Sequence, residues 1–207
     1  ALVRAKVACI RSSQSDLSDE EKRRVREEYL GYANLAERYT QTPRTALIIT
    51  HGLSGSGKTW LSQQLLECLG TIRLRSDVER KRLHGLAPRA RSGSGIDSGI
   101  YTAEAGQRTY TRLAELAHVI LRAGYPVIVD AAFLKRHQRD QLRVVADQAR
   151  VRFVILDVQT PESVLRQRLQ RRVQYEREVS EADLAVLDHQ LAGDEPLMAD
   201  EQRHVLV

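Results

Sequence analysis

Short apolar runs recur along the chain at intervals that fit strands alternating with helices. The first is Thr45-Ala46-Leu47-Ile48-Ile49-Thr50, a continuous run of the kind buried on both faces of a parallel sheet. Further strands are expected over 72–75, 126–130, 151–157 and 204–207. Helical spacing of apolar positions marks 58–69, 101–123, 135–150, 162–174 and 181–191. Strands that alternate with helices predict an α/β fold, a five-stranded parallel sheet with helices on both faces.

Ahead of the first strand the pattern changes. Asp16, Asp19, Glu20 and Glu21 precede Lys22, Arg23, Arg24 and Arg26, and Val25, Tyr29, Leu30, Tyr32, Ala33, Leu35 and Ala36 follow at helical spacing. Ser18 with Glu21 is a capping box for an amphipathic helix over 19–39. Residues 1–42 therefore read as a helical extension and 43–207 as the domain proper, with Thr42-Pro43-Arg44 as the break. Between 89 and 99, Ser92, Gly93, Ser94, Gly95, Ser98 and Gly99 mark a surface loop, either a substrate lid or a plain connection.

Composition narrows the class. Hydrophobic residues make up 42% and charged residues 29%, the balance of a globular chain rather than a disordered or membrane one. No apolar run approaches the roughly 20 residues that span a bilayer, and the first eleven residues lack the apolar core of a signal peptide. Cys9 and Cys68 are isolated, which suits reduced thiols in a cytoplasmic protein. The net charge of +5 fits phosphate handling and equally fits a generic Arg-rich surface. The chain starts at Ala1 and ends in an apolar run, so it reads as a piece of something longer.

Gly52-Leu53-Ser54-Gly55-Ser56-Gly57-Lys58-Thr59 matches G-x-x-x-x-G-K-[ST] between a strand and a helix, the context that motif requires. Backbone N–H groups of Gly52, Ser54, Gly55, Ser56 and Gly57 can curl around phosphates, and the following helix, opening on Lys58, Thr59 and Trp60, adds its N-terminal dipole. Lys58 should reach the β and γ phosphates of ATP, and the Thr59 hydroxyl should hold Mg2+. After the second strand, Asp77 and Arg80 are three residues apart and share a helical face. A carboxylate there can take the proton of an attacking hydroxyl, and the arginine can hold an anionic part of the acceptor. A helix cap with a solvent-facing arginine is the plainer alternative.

The loop, the Asp77/Arg80 pair and a later Arg-rich helix resemble the P-loop kinases that include polynucleotide 5′-hydroxyl kinases, gluconate kinase and the zeta toxins. More narrowly, GLSGSGKT (52–59), LRSDVERKRL (74–83), VIVDAAFLKR (127–136) and SEADLAVLDHQL (180–191) resemble the ATP-binding kinase-like domain of bacterial proteins with an aminoglycoside-phosphotransferase-like domain ahead of it. The resemblance implies Asp77 as general base, with Arg80 a ligand of an acceptor phosphate in the polynucleotide branch only. It also implies a helical lid bearing arginines over the triphosphate. Arg168 with Arg172, one turn apart, fits that lid best, with Arg171 as rival and Arg166 on a solvated face.

Asp130 closes the 126–130 strand, where it would face the phosphates, orienting the metal or the acceptor hydroxyl. Lys135, Arg136 and Arg108 are further acceptor-side candidates. The expected activity is transfer of the ATP γ-phosphate to a hydroxyl of a small molecule or nucleotide. A polynucleotide 5′-hydroxyl stays open because Arg73, Arg75, Arg80, Lys81, Arg82, Arg89 and Arg91 form a basic stretch, although aromatic residues for base stacking total only 5%. An ATPase or switch without an acceptor is the third reading.

Overall fold

A computed structural model describes residues 1–40, 45–95, 97–173 and 183–207, with the side chains of 38, 172 and 173 outside the description. The chain divides into two compact units, Ala1–Pro43 and Arg44–Val207.

The first unit is a helix pair, α1 (Leu2–Ser12) and α2 (Asp19–Thr40). The Ser18 capping box forms: Ser18 N–H donates to the Glu21 carboxylate at 3.0 Å, and Glu21 N–H donates back to the Ser18 hydroxyl at 3.3 Å. Asp19, Glu20 and Glu21 in the first turn add charge that suits the helix dipole. Ala5, Ala8 and Val25 are buried in this unit. Arg4 stacks 5.6 Å over the Tyr32 ring and donates to its hydroxyl at 3.0 Å.

The second unit is a three-layer α/β fold. Its parallel sheet has the order β2-β3-β1-β4-β5, built from β1 (Ala46–His51), β2 (Ile72–Arg75), β3 (Val127–Asp130), β4 (Arg152–Asp157) and β5 (Val205–Leu206). The alternation of side chains along each strand sorts the core into two faces. Leu47, Ile49, Val127, Val129, Phe153 and Ile155 meet α5 (Ala103–Arg122) and α6 (Arg136–Ala149) in the larger cluster. Ile48, Ile128 and Val154 point the other way, with Leu65 of α3 (Lys58–Leu69) packed on them. The remaining helices are α4 (Ser76–Leu83), α7 (Glu162–Val173) and α8 (Leu184–Gly193).

The strands fall where the apolar runs place them, and every strand pair is parallel. Helix starts differ by small shifts: a 3-10 turn over Gly99–Tyr101 precedes α5, because Thr102 caps that helix by accepting from Ala105 N–H. The Gly/Ser loop is tied to itself, since the Ser94 hydroxyl accepts from Ile100 N–H and a Cβ at Gly99 would meet that hydroxyl. Among the described residues no helix is long and apolar enough to cross a membrane.

Candidate active site

β1 ends at His51 and the chain turns at once into the 52–57 loop that feeds α3. Its start is fixed from both sides. Thr50 Oγ1 donates to Ala131 O at 2.7 Å and accepts from Ala131 N–H at 3.1 Å, which ties the ends of β1 and β3 together. Gly52 N–H donates to Ala132 O at 3.2 Å, and a Cβ at Gly52, whose φ is +135°, would stand 2.7 Å from Val158 O. That position admits only glycine. Further along, the Thr160 hydroxyl donates to Ser56 O at 3.1 Å. Lys58 Nζ folds over the loop onto Leu53 O at 2.6 Å and the Ser56 hydroxyl at 3.3 Å. Trp60 is 70% exposed and extends its ring to solvent.

Two carboxylates meet at the C-terminal edge of β2 and β3. Asp130, 5% exposed, is the register neighbour of Arg75. Its Oδ2 accepts from the Ser62 hydroxyl of α3 at 3.1 Å and lies 3.9 Å from Arg75 Nε. Asp77, in the first turn of α4, accepts from Arg75 Nη2 at 2.7 Å and from Val78 N–H at 2.8 Å. Arg75 thus spans both acids. The Arg73-Leu74-Arg75 alternation of β2 holds the signal for this: period two turns both arginines to the α3 side while Leu74 enters the core. Arg73 correspondingly donates to Thr59 O at 3.2 Å and the Ser62 hydroxyl at 3.1 Å.

The Thr59 hydroxyl and the Asp130 carboxylate are oxygen donors of the kind a hard cation such as Mg2+ takes, and Ser62, which donates to Asp130, sits one turn along α3 from Thr59. Among the described residues no group of three or more His, Cys, Asp or Glu side chains gathers. An ion here would therefore complete its shell with phosphate oxygens and water.

Beyond Asp77 on α4, the Arg80 guanidinium stacks 5.1 Å over the Tyr101 ring, and its Nε is buried with no hydrogen-bond partner among the described residues. Burial pushes the Tyr110 phenol up, against the opposing charge of Arg80 and the Phe133 backbone contact. The Tyr110 hydroxyl accepts from Phe133 N–H at 3.4 Å. Phe133 has a φ of +51°, a left-handed conformation for a bulky residue that costs on the order of 1–3 kcal/mol. That strain lies in the turn just after Asp130.

The other sequence candidates are scattered. Arg108 lies on the exposed face of α5 beside a groove of about 380 Å3 that Leu83, Glu104 and Thr111 also line. Arg136 pairs with Asp200 at 2.9 Å, and its backbone N–H donates to Glu195 at 2.7 Å. Neither has a described contact with Lys58, Asp77 or Asp130. Arg168 Nη1 donates to Gly55 O at 3.0 Å and Ser56 O at 3.3 Å, so it grips the loop by its carbonyls. Arg172 belongs to α7, but its side chain lies outside the described residues. The basic stretch is divided: Arg73 and Arg75 bind the residues just named and Lys81 is 1% exposed, whereas Arg82, paired with Glu79, is still 61% exposed, and Arg89 and Arg91 are exposed.

A pocket of about 430 Å3 opens beside the loop, lined among others by His51, Gly52, Thr160, Asp194, Leu197 and Val205. Its outer wall is the 194–207 segment, held by the buried pair Arg139–Glu201 at 2.7 Å and by Arg139 donating to Phe133 O and Glu195 O. Neither Arg139 nor Glu201 is legible as a site residue from local pattern, because they are 62 positions apart.

Residues 47–197 match the profile of AAA_33, an AAA domain. Over 133 residues, 64% of this chain, the sequence is 27% identical to uncharacterised proteins of Mycobacterium tuberculosis and Mycobacterium bovis. The matched stretch is 26% of those proteins, so the chain spans about a quarter of the length of these curated relatives. Among solved structures, a sugar kinase from Janibacter is 25% identical with a TM-score of 0.58, covering 79% of this chain and 84% of its own. Kti12 from Chaetomium thermophilum, solved with ADP-AlF3, has 18% identity and a TM-score of 0.59 over 78% of this chain and 88% of its own. A gluconokinase from Sinorhizobium meliloti has 20% identity and a TM-score of 0.52 over 80% and 82%. The last two show a shared fold. With the phosphate loop set between β1 and α3 and the family profile running over most of its length, the chain belongs to the AAA domain family, in its P-loop, kinase-like form.

Proposed function

We propose that the chain transfers the γ-phosphate of ATP to a hydroxyl group of a small-molecule or nucleotide acceptor. One observation carries the reading: Arg75 joins Asp77 and Asp130 at the sheet edge, and Asp130 is joined through Ser62 to the helix that bears Lys58 and Thr59. A second, arginine-oriented acid beside the metal-side one suits a proton acceptor for an attacking hydroxyl.

In this reading residues 52–59 bind the triphosphate, and Lys58 leaves Leu53 O to neutralise charge on the β and γ phosphates. Asp77 accepts the proton of the acceptor hydroxyl during in-line attack. Its contacts with Arg75 and Val78 N–H leave further lone pairs on the carboxylate for that proton. Thr59 and Asp130 would hold Mg2+, which neutralises phosphate charge when bound. The 430 Å3 pocket beside the loop suits the nucleoside, and Arg80 with Tyr101 suits the acceptor. Arg168 and Arg172 are the proposed lid cations.

The likeness to a sugar kinase at 25% identity supports a small acceptor. A polynucleotide acceptor has less support, because Arg73 and Arg75 are engaged internally and Lys81 is buried, although Arg82, Arg89 and Arg91 face solvent. The proposal treats residues 43–207 as the kinase domain and 1–42 as an extension. It also extends to a fused aminoglycoside-phosphotransferase-like domain, which the motif resemblance and the greater length of the mycobacterial relatives support.

The test is transfer from γ-labelled ATP with magnesium to a panel of gluconate and other sugars, nucleosides, an aminoglycoside and a 5′-hydroxyl oligonucleotide. Label on one acceptor, lost in Asp77→Ala, is expected. Free phosphate alone, undiminished in Asp77→Ala, would replace the kinase with an ATPase.

A further inference from the structure

The segment SEADLAVLDHQL has no part in the chemistry described so far. Its described portion includes most of α8, which is seated on the phosphate loop. Asp183 caps the helix by accepting from Val186 N–H at 2.9 Å. Leu187 is fully buried with Leu165 and Leu169 of α7, and Leu53 of the loop packs into the same cluster. Asp188 pairs with Arg166 of α7 at 2.6 Å. Gln190 follows Leu187 by three positions and shares its face. Ser54 N–H donates to Gln190 Oε1 at 2.8 Å.

That N–H is a phosphate-loop donor. Lys58 Nζ, the group that reaches the β and γ phosphates in this motif, rests on Leu53 O, one residue before Ser54. Ser54 N–H therefore stands at the terminal-phosphate end of the loop. A side-chain amide oxygen there is neutral, whereas a phosphate oxygen is charged and makes a hydrogen bond roughly twice as strong.

We propose that Gln190 is the residue through which this site reads the terminal phosphate. Its amide accepts from Ser54 N–H and yields that donor to a γ-phosphate oxygen of ATP. It then donates Nε2–H to that same phosphate. An amide suits both states because it carries an acceptor and a donor on one group. A carboxylate can only accept, and would repel the phosphate. ADP leaves Ser54 N–H with Gln190, so discrimination between tri- and diphosphate rests on this contact. The inference depends on the ATP reading given above.

The experiment is calorimetric titration of the 207-residue chain with ADP and with a non-hydrolysable ATP analogue, in magnesium, for wild type, Gln190→Ala, Gln190→Glu and Lys58→Ala. Gln190→Ala should weaken the triphosphate about 3- to 10-fold, the range of one hydrogen bond, and leave ADP within about two-fold. Gln190→Glu should weaken the triphosphate further, at least about ten-fold, again sparing ADP. Equal loss for both nucleotides would reduce Gln190 to a structural support of the loop, and an unchanged ratio would remove it from the site; either result overturns the proposal. If wild type binds neither nucleotide, the ATP reading fails with it. If Lys58→Ala abolishes binding while both Gln190 variants keep the wild-type ratio, only the Gln190 role fails.

Discussion

On the α7–α8 side of the phosphate loop, Leu165, Leu169 and Leu187 are fully buried and Leu53 of the loop packs among them. On the α4 side, the contacts that orient Asp77 and Arg80 are ionic or cation–π, through Arg75 and Tyr101. Apolar contact is non-directional and insensitive to salt, so it can seat a helix on the loop without fixing any one polar atom. Charge-assisted hydrogen bonds are directional, and they fix the angle of a carboxylate. The α7–α8 side, the nucleotide flank in the proposed reading, is thus seated by an apolar cluster to which Gln190 and Arg168 add hydrogen bonds, while the α4 side, the proposed acceptor flank, is held in orientation by charge. A proton acceptor needs the second property more than the first.

The largest effects should separate the flanks by function. Lys58→Ala is expected to lower transfer by about 10³-fold, the scale of losing a main electrostatic stabiliser of the transition state, and to weaken ATP strongly. Asp77→Asn should lower turnover by about 10²–10⁴-fold while ATP affinity stays within about two-fold. Steady-state rates beside equilibrium nucleotide binding decide this, and a parallel loss of both in Asp77→Asn would erase the proposed division.

Next in size is the strut beneath the pocket wall. Glu201→Ala leaves Arg139, 1% exposed, without its carboxylate, and should destabilise the chain by about 3–5 kcal/mol in urea unfolding. Burial pushes the Glu201 carboxyl up, but hydrogen bonds from Arg139 and Met198 N–H, with the charges of Arg139 and Arg136, outweigh it and hold the group below the usual glutamate range. A lowered native value means that its stabilisation is complete above the unfolded pKa and is lost as pH falls through the native one. Stability of wild type should therefore drop across that acid window by more than stability of Glu201→Gln does.

The smallest effect tests the acceptor flank. Arg80→Lys keeps the charge but loses the planar stack on Tyr101, worth on the order of 0.5–2 kcal/mol. It should raise the KM for the acceptor and leave the KM for ATP unchanged. An effect on ATP instead would move Arg80 to the nucleotide flank.

Much of this arrangement was legible in sequence because it is local. The apolar run of β1, the eight-residue loop and the start of α3 adjoin in the chain, so pattern alone sets the strand, the phosphate donors and Lys58. Asp77 and Asp130 could be placed at a sheet edge because each follows or ends a strand. Arg136 and Arg108 are placed less sharply by that method. Both are basic residues on helices near the right strands, yet one is drawn to Asp200 and the other faces outward on α5. Helical spacing tells which residues share a face, not which partner that face meets.

What the sequence by itself determined is the α/β class, the strand order in the chain, the phosphate loop and the two acids. What only tertiary structure decided is how they are joined. Arg75 spanning Asp77 and Asp130, Gln190 on Ser54 N–H and Arg139 on Glu201 are pairings between elements. No periodicity within one element encodes them. They arise because parallel pairing of β2 with β3 sets Arg75 beside Asp130, and because burial of Leu187 brings the next turn of α8 onto the loop.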